Sequence, residues 1–393
     1  VRLYDTRTRS VRPLRAPLTV RLYVCGITPY DASHLGHAFT YVQFDVLARW
    51  LAARGHRVRH ARNVTDVDDD ILRTASQRGL DFRELATAET MRFDEELAAL
   101  GCEPPTATPH ATAAVPAIRH TVSGLVDAGV AYALDDGRVY FDTRASTRFG
   151  ALSGFDRPTM LEHFAAKGGD PDALGKRDAL DFLLWQPSAE GEPAWDSPWG
   201  PGRPGWHIEC STMAMEELGP TIDLHGGGSD LVFPHHDAEI AQAEHLTEQA
   251  PFTRFWLHTG MVGVDGQKMG KSEGNLVFLS DLRQRWGAAA VRRLLLQHHY
   301  RESWDYDDQA TDAAAEALAR WRHAAEASPE RDDRVEDAVA GALDDDLDIP
   351  AALAEVDRAA ADGAGGTVAW AAGLLGISLQ PAARPVEHAS PPR

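Results

Sequence analysis

Cysteine is scarce in this chain: three residues in 393, at Cys25, Cys102 and Cys210. An odd count spread over so long a chain argues against a disulfide framework and for a reducing compartment, so a cytoplasmic protein is expected. Basic residues are also short. Against 59 Asp and Glu stand 39 Lys and Arg, leaving a net charge of -20. A wide nucleic-acid face needs Lys and Arg in quantity, so this balance disfavours a polyanionic macromolecule as partner. No apolar run approaches the ~20 residues of a membrane span, and no secretory leader is read at the start. Internal repeats are absent.

What is present reads as a globular protein of two or three units, because 393 residues exceed one ordinary core. "VRLYVCGITPYDASHLGHAFTYVQFDVLARWLAARG" is strand, loop and helix. The apolar alternation of 21–24 breaks at Gly26, a helix is expected over Leu35–Ala53, and Gly55 ends it. "HRVRHARNVTD" is a second strand and "DDDILRTASQRG" opens a second helix. This βαβ order predicts an α/β fold with a parallel sheet and sites at the carboxyl ends of its strands.

From about Cys102 to Trp199 the pattern changes to a helix over 115–128, a hairpin "AYALDDGRVYFDT" turning at Asp-Asp-Gly, and a loop-rich run. The whole reads as an insertion. "TIDLHGGGSDLVFPHHDAEIAQAEHL" returns to strand, glycine loop and helix, and "RFWLHTGMVGVDGQKMGKSEGN" adds a strand and a loop. Beyond Leu282 the chain is helical, and from Asp305 onward it holds 19 acidic and 7 basic residues, which makes this half the least suited to a phosphate backbone. The expected organisation is therefore 1–101 and 200–282 as two halves of one domain, 102–199 inserted between them, 283–380 helical, and 381–393 a disordered Pro-rich tail.

Cys25 ends the first strand, Cys210 follows the insertion, and His235 and His236 lie 25 and 26 residues beyond it. Glu239 is four residues past His235, so on a helix both point the same way. If the sheet closes around the insertion, two thiolates, an imidazole and a carboxylate meet, a donor set suited to Zn²⁺. The spacing is not that of a C-x-x-C finger, and a lone cysteine is most often a small buried apolar residue. Both readings stand on spacing alone.

Three further stretches suit phosphate. "HLGH" places His34 and His37 where the first loop enters the first helix, at the positive end of its dipole. "KMGKS" carries Lys268 and Lys271 on a Gly-rich loop, fit for developing charge on a phosphoryl group. "HGGGSD" offers glycines for close backbone approach to a nucleotide. None is a Walker loop or a dinucleotide fingerprint, and each alone is more often a plain turn or a solvated face.

Together these residues resemble a known family. "HLGH" resembles the HIGH motif and "KMGKS" the KMSKS motif of class I aminoacyl-tRNA synthetases. "YVCGITPYD", "RNVTDVDD", "GRPGWHIECS", "HGGGSDLVFPHH" and "HTGMV" are similar to the cysteinyl members. Within that group "GITPYDASHLGHAFTY" and "AKGGDPDALGK" resemble the branch of cysteine ligases in mycothiol biosynthesis, which join cysteine to the amine of glucosaminyl-inositol. The chain also ends soon after "AAGLLGISL". Two positions depart. Gly270 replaces the middle Ser of KMSKS, and Glu239 resembles the acidic zinc ligand of the synthetases rather than the three-ligand set of the ligases.

The resemblance implies a Rossmann-type (HUP) catalytic domain with an inserted connective subdomain and a carboxyl-terminal helical bundle. It implies one Zn²⁺ on Cys25, Cys210 and His235 with Glu239 as fourth ligand or outer-shell group, and ATP, with Mg²⁺, as substrate. Phosphate charge would be met by His34, His37, Lys268 and Lys271. Cysteinyl-adenylate would be held by Cys25, Gly26, Ile27, Thr28, Thr40, Asn63, Val64, Thr65, Gly228, Ser229, Asp230 and Val262, with Trp206 walling the pocket. Asp66, Asp68 and Asp69 are candidate bases for the second step, although an acidic run at a helix start is more often a cap. A monomer acting on L-cysteine, ATP and a small amine is expected, without tRNA or membrane. Transfer to tRNA, or to another small amine, is the alternative.

Overall fold

The computed structural model of the chain describes residues 1–31, 33–270 and 274–380. Lys271 and the 381–393 tail lie outside the described residues. Four parallel strands form the central sheet: β1 (Thr19–Ile27), β2 (Arg57–Val64), β3 (Ile222–Gly228) and β4 (Thr253–Thr259), in the order β4-β3-β1-β2. Val20, Leu22, Tyr23 and Val24 of β1 are all buried. Such a run, rather than strict alternation, marks a strand covered on both faces.

Three helices flank this sheet: α1 (Leu35–Ala53) between β1 and β2, α2 (Trp206–Leu218) before β3, and α3 (Asp237–Thr247) between β3 and β4. The first has the bounds its sequence predicts, and Gly55 follows it at φ 88°. That left-handed turn suits glycine best. The crossover from β1 runs to one side of the sheet and that from β3 to the other. A crevice therefore opens between their carboxyl ends, where ligands of such sheets bind.

The polypeptide between β2 and α2 supplies a helix (Ala111–Asp127) and a four-stranded antiparallel sheet of Ala131–Ala133, Val139–Phe141, Phe182–Pro187 and Gly202–Pro204. Ile118, Phe141, Phe182 and Trp185 belong to its own apolar cluster. The run read as loop-rich contains a helix, Arg157–Ala166, whose start signals are the cap of Asp156 on the Thr159 amide and a proline in the first turn. A short amino-terminal hairpin, Arg2–Asp5 with Ser10–Pro13, was not read from the sequence. Its buried Asp5 accepts from the Trp256 amide of β4 at 3.0 Å.

Six carboxyl-terminal helices between Leu279 and Leu374 share one apolar cluster with β1 and α1, including Leu22, Phe39, Leu295, Trp321 and Val356. Arg292 is buried at this seam. It pairs with Asp45 of α1 and donates to the carbonyls of Leu375 (2.7 Å) and Leu100 (3.1 Å). Removing Asp45 would leave this buried charge uncompensated. Among the described residues no helix is long and apolar enough to cross a membrane.

Candidate active site

Four elements deliver one cluster of metal-type donors. β1 brings Cys25, α2 Cys210, the irregular turn before α3 His235, and α3 itself Glu239. One ligand atom from each lies within 4.8 Å of the others, and all four side chains are buried. The pairing of β1 with β2 breaks register between Val24 and Ile27, and this irregularity holds Cys25 at the strand end. Gly26 is required there: a Cβ would sit 1.5 Å from the Asn63 carbonyl oxygen.

A second set, Cys25, His225, His236 and Glu239, overlaps the first and meets the same limit. Cys25 Sγ lies 3.3 Å from His236 Nε2 and 3.6 Å from His225 Nε2. The sequence does not single out His225, because an imidazole in the middle of a parallel strand has no spacing motif. The only available signal was its place just before the three glycines.

Outer contacts fix these rings. His235 turns Nε2 to Glu239 Oε1 at 3.3 Å and Nδ1 to His207 Nδ1 at 2.9 Å, and Trp206 stacks on its face at 4.3 Å between centroids. His236 Nδ1 meets His258 Nε2 at 2.7 Å, whose Nδ1 reaches Thr6 Oγ1 at 2.8 Å. Such partners set the tautomer and aim of a metal-binding imidazole.

Burial pushes the Cys25 thiol well above its ordinary range, with Cys210 and Glu239 adding to the effect. Burial, then Cys210, raises the Glu239 carboxyl likewise. The imidazoles of His225, His235 and His236 are pushed well down, again by burial first. Without a cation, Cys25, Glu239 and these three imidazoles favour their neutral forms. Glu239 Oε2 and His225 Nδ1 are buried without a hydrogen-bond partner among the described residues. Two sulfur donors, an imidazole and a carboxylate around orphaned polar atoms fit a zinc ion.

Beside this cluster lies a second, more open half. His34 and His37 stack at 3.8 Å between ring centroids at the amino end of α1, whose cap position carries no side-chain cap. Burial holds His34 to about 4 and His37 to about 3. Both are therefore neutral near pH 7 and act on an anion as hydrogen-bond donors, not as charges. The nearby formal positive charge comes from Lys268, whose Nζ stands 3.6 Å from Asp230 Oδ2. A lysine of the insertion, Lys167, approaches the same oxygen at 2.9 Å. Burial tends to raise Asp230, but Lys167 and Lys268 outweigh it and hold the carboxyl below its usual range.

Hydrogen bonds tie the phosphate-type segments together across 240 residues of sequence. The Leu35 amide donates to the Val277 carbonyl at 2.9 Å, and His34 bridges Phe278. Asn275 accepts from the Gly270 amide at 2.8 Å and donates to the Lys268 carbonyl at 3.2 Å.

The other predicted positions gather at the same sheet end. The Gly26 amide donates to Asn63 Oδ1 at 2.8 Å, Asn63 Nδ2 to Thr65 Oγ1 at 3.2 Å, and the Thr65 amide to the Ile27 carbonyl at 3.0 Å. Thr28 continues that loop, accepting from the Tyr30 amide at 3.1 Å, and Val64 closes β2. Thr40 of α1 shares a 2.8 Å hydroxyl contact with Thr259 of β4. Val262 opens a short strand and accepts from the Met269 amide at 3.3 Å.

Gly228 ends β3, and Ser229 and Asp230 form a tight turn after it. The glycines read as a loop are strand residues: a Cβ on Gly226 would lie 2.2 Å from the Leu257 carbonyl oxygen and 2.4 Å from Phe44. Their close approach is to β4 and α1 as much as to any ligand. Cys102 stands apart, beside Arg292.

The three candidate bases are largely engaged. Asp66 accepts from the Thr112 amide (2.8 Å), its hydroxyl (2.6 Å) and His110 (3.1 Å). Asp69 pairs with Arg203. Asp68 caps the helix Asp69–Arg78 through the Asp70 amide, and burial raises it to about 6.

A family model described as "tRNA synthetases class I (C) catalytic domain" matches residues 12–316. The chain belongs to this class I synthetase family. Its curated relatives include an L-cysteine:1D-myo-inositol 2-amino-2-deoxy-alpha-D-glucopyranoside ligase of Gordonia bronchialis, 48% identical over 92% of this chain and 89% of that one. Ligases of the same name from Nakamurella multipartita (47%, covering 96% and 95%) and Mycolicibacterium smegmatis (48%, covering 91% and 88%) are similarly related. The class I synthetase fold recurs in methionyl-tRNA synthetase of Mycobacterium tuberculosis in complex with methionyl-adenylate, at TM-score 0.63, 17% identity, and 91% and 89% coverage. It recurs too in a LeuRS of Agrobacterium radiobacter, at TM-score 0.64, 13% identity, and 92% and 83% coverage. The fold class expected from the sequence is the observed one.

Proposed function

We propose that this chain is an ATP-dependent ligase that activates L-cysteine as cysteinyl-adenylate and transfers it to the amine of glucosaminyl-inositol, a step of mycothiol biosynthesis. One observation carries the reading: Cys25, Cys210, His235 and Glu239 converge beside His34, His37 and Lys268 at the carboxyl end of one sheet. The names of the curated relatives support the acceptor.

A zinc ion held by Cys25, Cys210 and His235, with Glu239 as the fourth donor, would supply a soft Lewis-acid contact for the substrate thiolate and so discriminate cysteine from serine. His207 and Trp206 hold the His235 ring in place for that role. ATP enters with Mg²⁺ as substrate. The cysteine carboxylate attacks the α-phosphorus and pyrophosphate leaves with the bonding electrons of the broken P–O bond. The chain's part is positioning and electrostatics: His34 and His37 donate hydrogen bonds to phosphate, and Lys268 and Lys271 meet its charge. In the second step the neutral amine attacks the acyl carbon and AMP departs. Among the acidic candidates, Asp68 is raised by burial to about 6, toward the range suited to accepting the amine's proton.

The enzyme should be given cysteine and ATP with either glucosaminyl-inositol or tRNA, and the products weighed. A cysteinyl amide of the amino sugar is expected. Acylation of tRNA alone would refute the acceptor, and the acidic carboxyl-terminal segment from Asp305 onward argues against that outcome.

A further inference from the structure

The chain contains four lysines among its 39 basic residues: Lys167, Lys176, Lys268 and Lys271. Two belong to the KMGKS segment. Lys176 is spent inside the insertion, donating to the carbonyls of Asp170 (2.8 Å) and Ala179 (2.6 Å). Lys167 instead leaves the insertion and meets Asp230 at the carboxyl end of β3. In a chain that meets nearly every other need for a cation with arginine, two lysines on one carboxylate oxygen are a built arrangement.

We propose that Lys167 is a catalytic residue whose ammonium binds the α-phosphoryl oxygens of the nucleotide, alongside Lys268, and that Asp230 is the positioning residue which holds both. The proposal rests on the adenylating activity proposed above. Local structure aims the side chain. Lys167 terminates the helix Arg157–Ala166, and Gly168 at φ 84° turns the chain sharply behind it. A Cβ on Gly169 would strike the Phe164 ring at 2.5 Å, so a second glycine is needed for the turn.

The Lys167 side chain is one-quarter exposed, so the residue is not sealed off from a ligand. Lys167 thus stands with Lys268 of the KMGKS segment against Asp230, at the carboxyl end of β3. Two ammonium groups against one carboxylate leave a net positive charge there, and the stacked histidines, being neutral, contribute none.

The chemistry gives this charge work in both steps. In the first, the carboxylate oxygen bonds to the α-phosphorus, the bond to the bridging oxygen breaks, and pyrophosphate takes the electron pair. In the second, nitrogen bonds to the acyl carbon, the acyl–oxygen bond breaks, AMP takes the pair, and the amine's proton passes to a base. Negative charge on the α-phosphate is stabilised each time.

The test is Lys167→Met in the full chain, assayed by cysteine-dependent exchange of labelled pyrophosphate into ATP. The expected result is a fall in kcat of about 100-fold, the scale for losing one donor to a developing anion. The KM for cysteine should stay within about two-fold, and zinc content and the thermal midpoint should be unchanged. Lys167→Arg, which keeps the charge, should recover most of the rate. Exchange by Lys167→Met within about two-fold of wild type would overturn the proposal. So would loss of rate in both variants with a matching drop in thermal midpoint, which would make Lys167 a strut between the insertion and β3. If the wild type itself shows no cysteine-dependent exchange, the adenylating activity fails and Lys167's role falls with it.

Discussion

The two halves of the site are built on opposite plans. Cys25, Cys210, His235 and Glu239 come from four elements, are buried to within a few per cent of completely, and are held by a further ring of histidines. At the phosphate-type half, the Lys268 side chain is 57% exposed, and among the described residues its charge is met by a single carboxylate. A group that grips one atom of fixed size benefits from a rigid pocket whose desolvation is settled on folding. A group that follows charge through a reaction needs reach. The contrast teaches that the metal-type half is assembled by the fold, whereas the phosphate-type half is completed by its substrate.

If so, the most severe effect should come from the rigid half. Cys210→Ala should remove bound zinc and abolish cysteine-dependent exchange. The loss should exceed the about 10–100-fold seen when an outer-shell partner is removed, with metal content read by mass spectrometry. Full activity without metal would erase the contrast. Lys268→Ala should cost about 10²–10³ in kcat while leaving the thermal midpoint in place, because its side chain is exposed. A large loss of stability would mean that this half is structural as well.

Next in size, Gly26→Ala should destabilise the fold by about 1–3 kcal/mol, the scale of overpacking, since the new methyl would collide with the Asn63 carbonyl. Denaturant unfolding measures it, and an unchanged midpoint would show the strand end to be slack. The smallest effect is a titration. His34 and His37 are held to about 4 and about 3, below the ordinary 6.5, so their rings should show no midpoint between pH 8 and 5 in selectively labelled NMR spectra. The unfolded chain takes up these protons first. The stability they lend is therefore complete above pH 6.5 and is lost as pH falls from there through about 4 for His34 and about 3 for His37. A midpoint near 6.5 would place charge where the site is described as neutral.

Much of this was legible in the sequence, for local reasons. The bounds of α1 follow from its apolar run and Gly55, and the hairpin at Asp-Asp-Gly from its turn chemistry. Cys25, Cys210, His235 and Glu239 could be named as a set because thiols are so few. What escaped depended on three dimensions. His225 joins the cluster only because β3 lies beside β1, and Lys167 reaches Asp230 only because the insertion folds back over the sheet end. The glycines before Ser229 suggested a nucleotide loop, yet strand pairing and the bulk of Phe44 are enough to require Gly226. Asp66, Asp68 and Asp69 drew notice as possible bases, and two of them prove to be spent on neighbours.

The guanidinium of Arg292 carries a practical consequence. It fastens the helix that bears His34 and His37 to a carbonyl at position 375, close to the far end of the described chain. A shortened version stopping before that point would strip the cation of a partner directly behind that helix. Trimming the tail end of this polypeptide would therefore be felt at its chemistry, some 340 residues upstream of the cut.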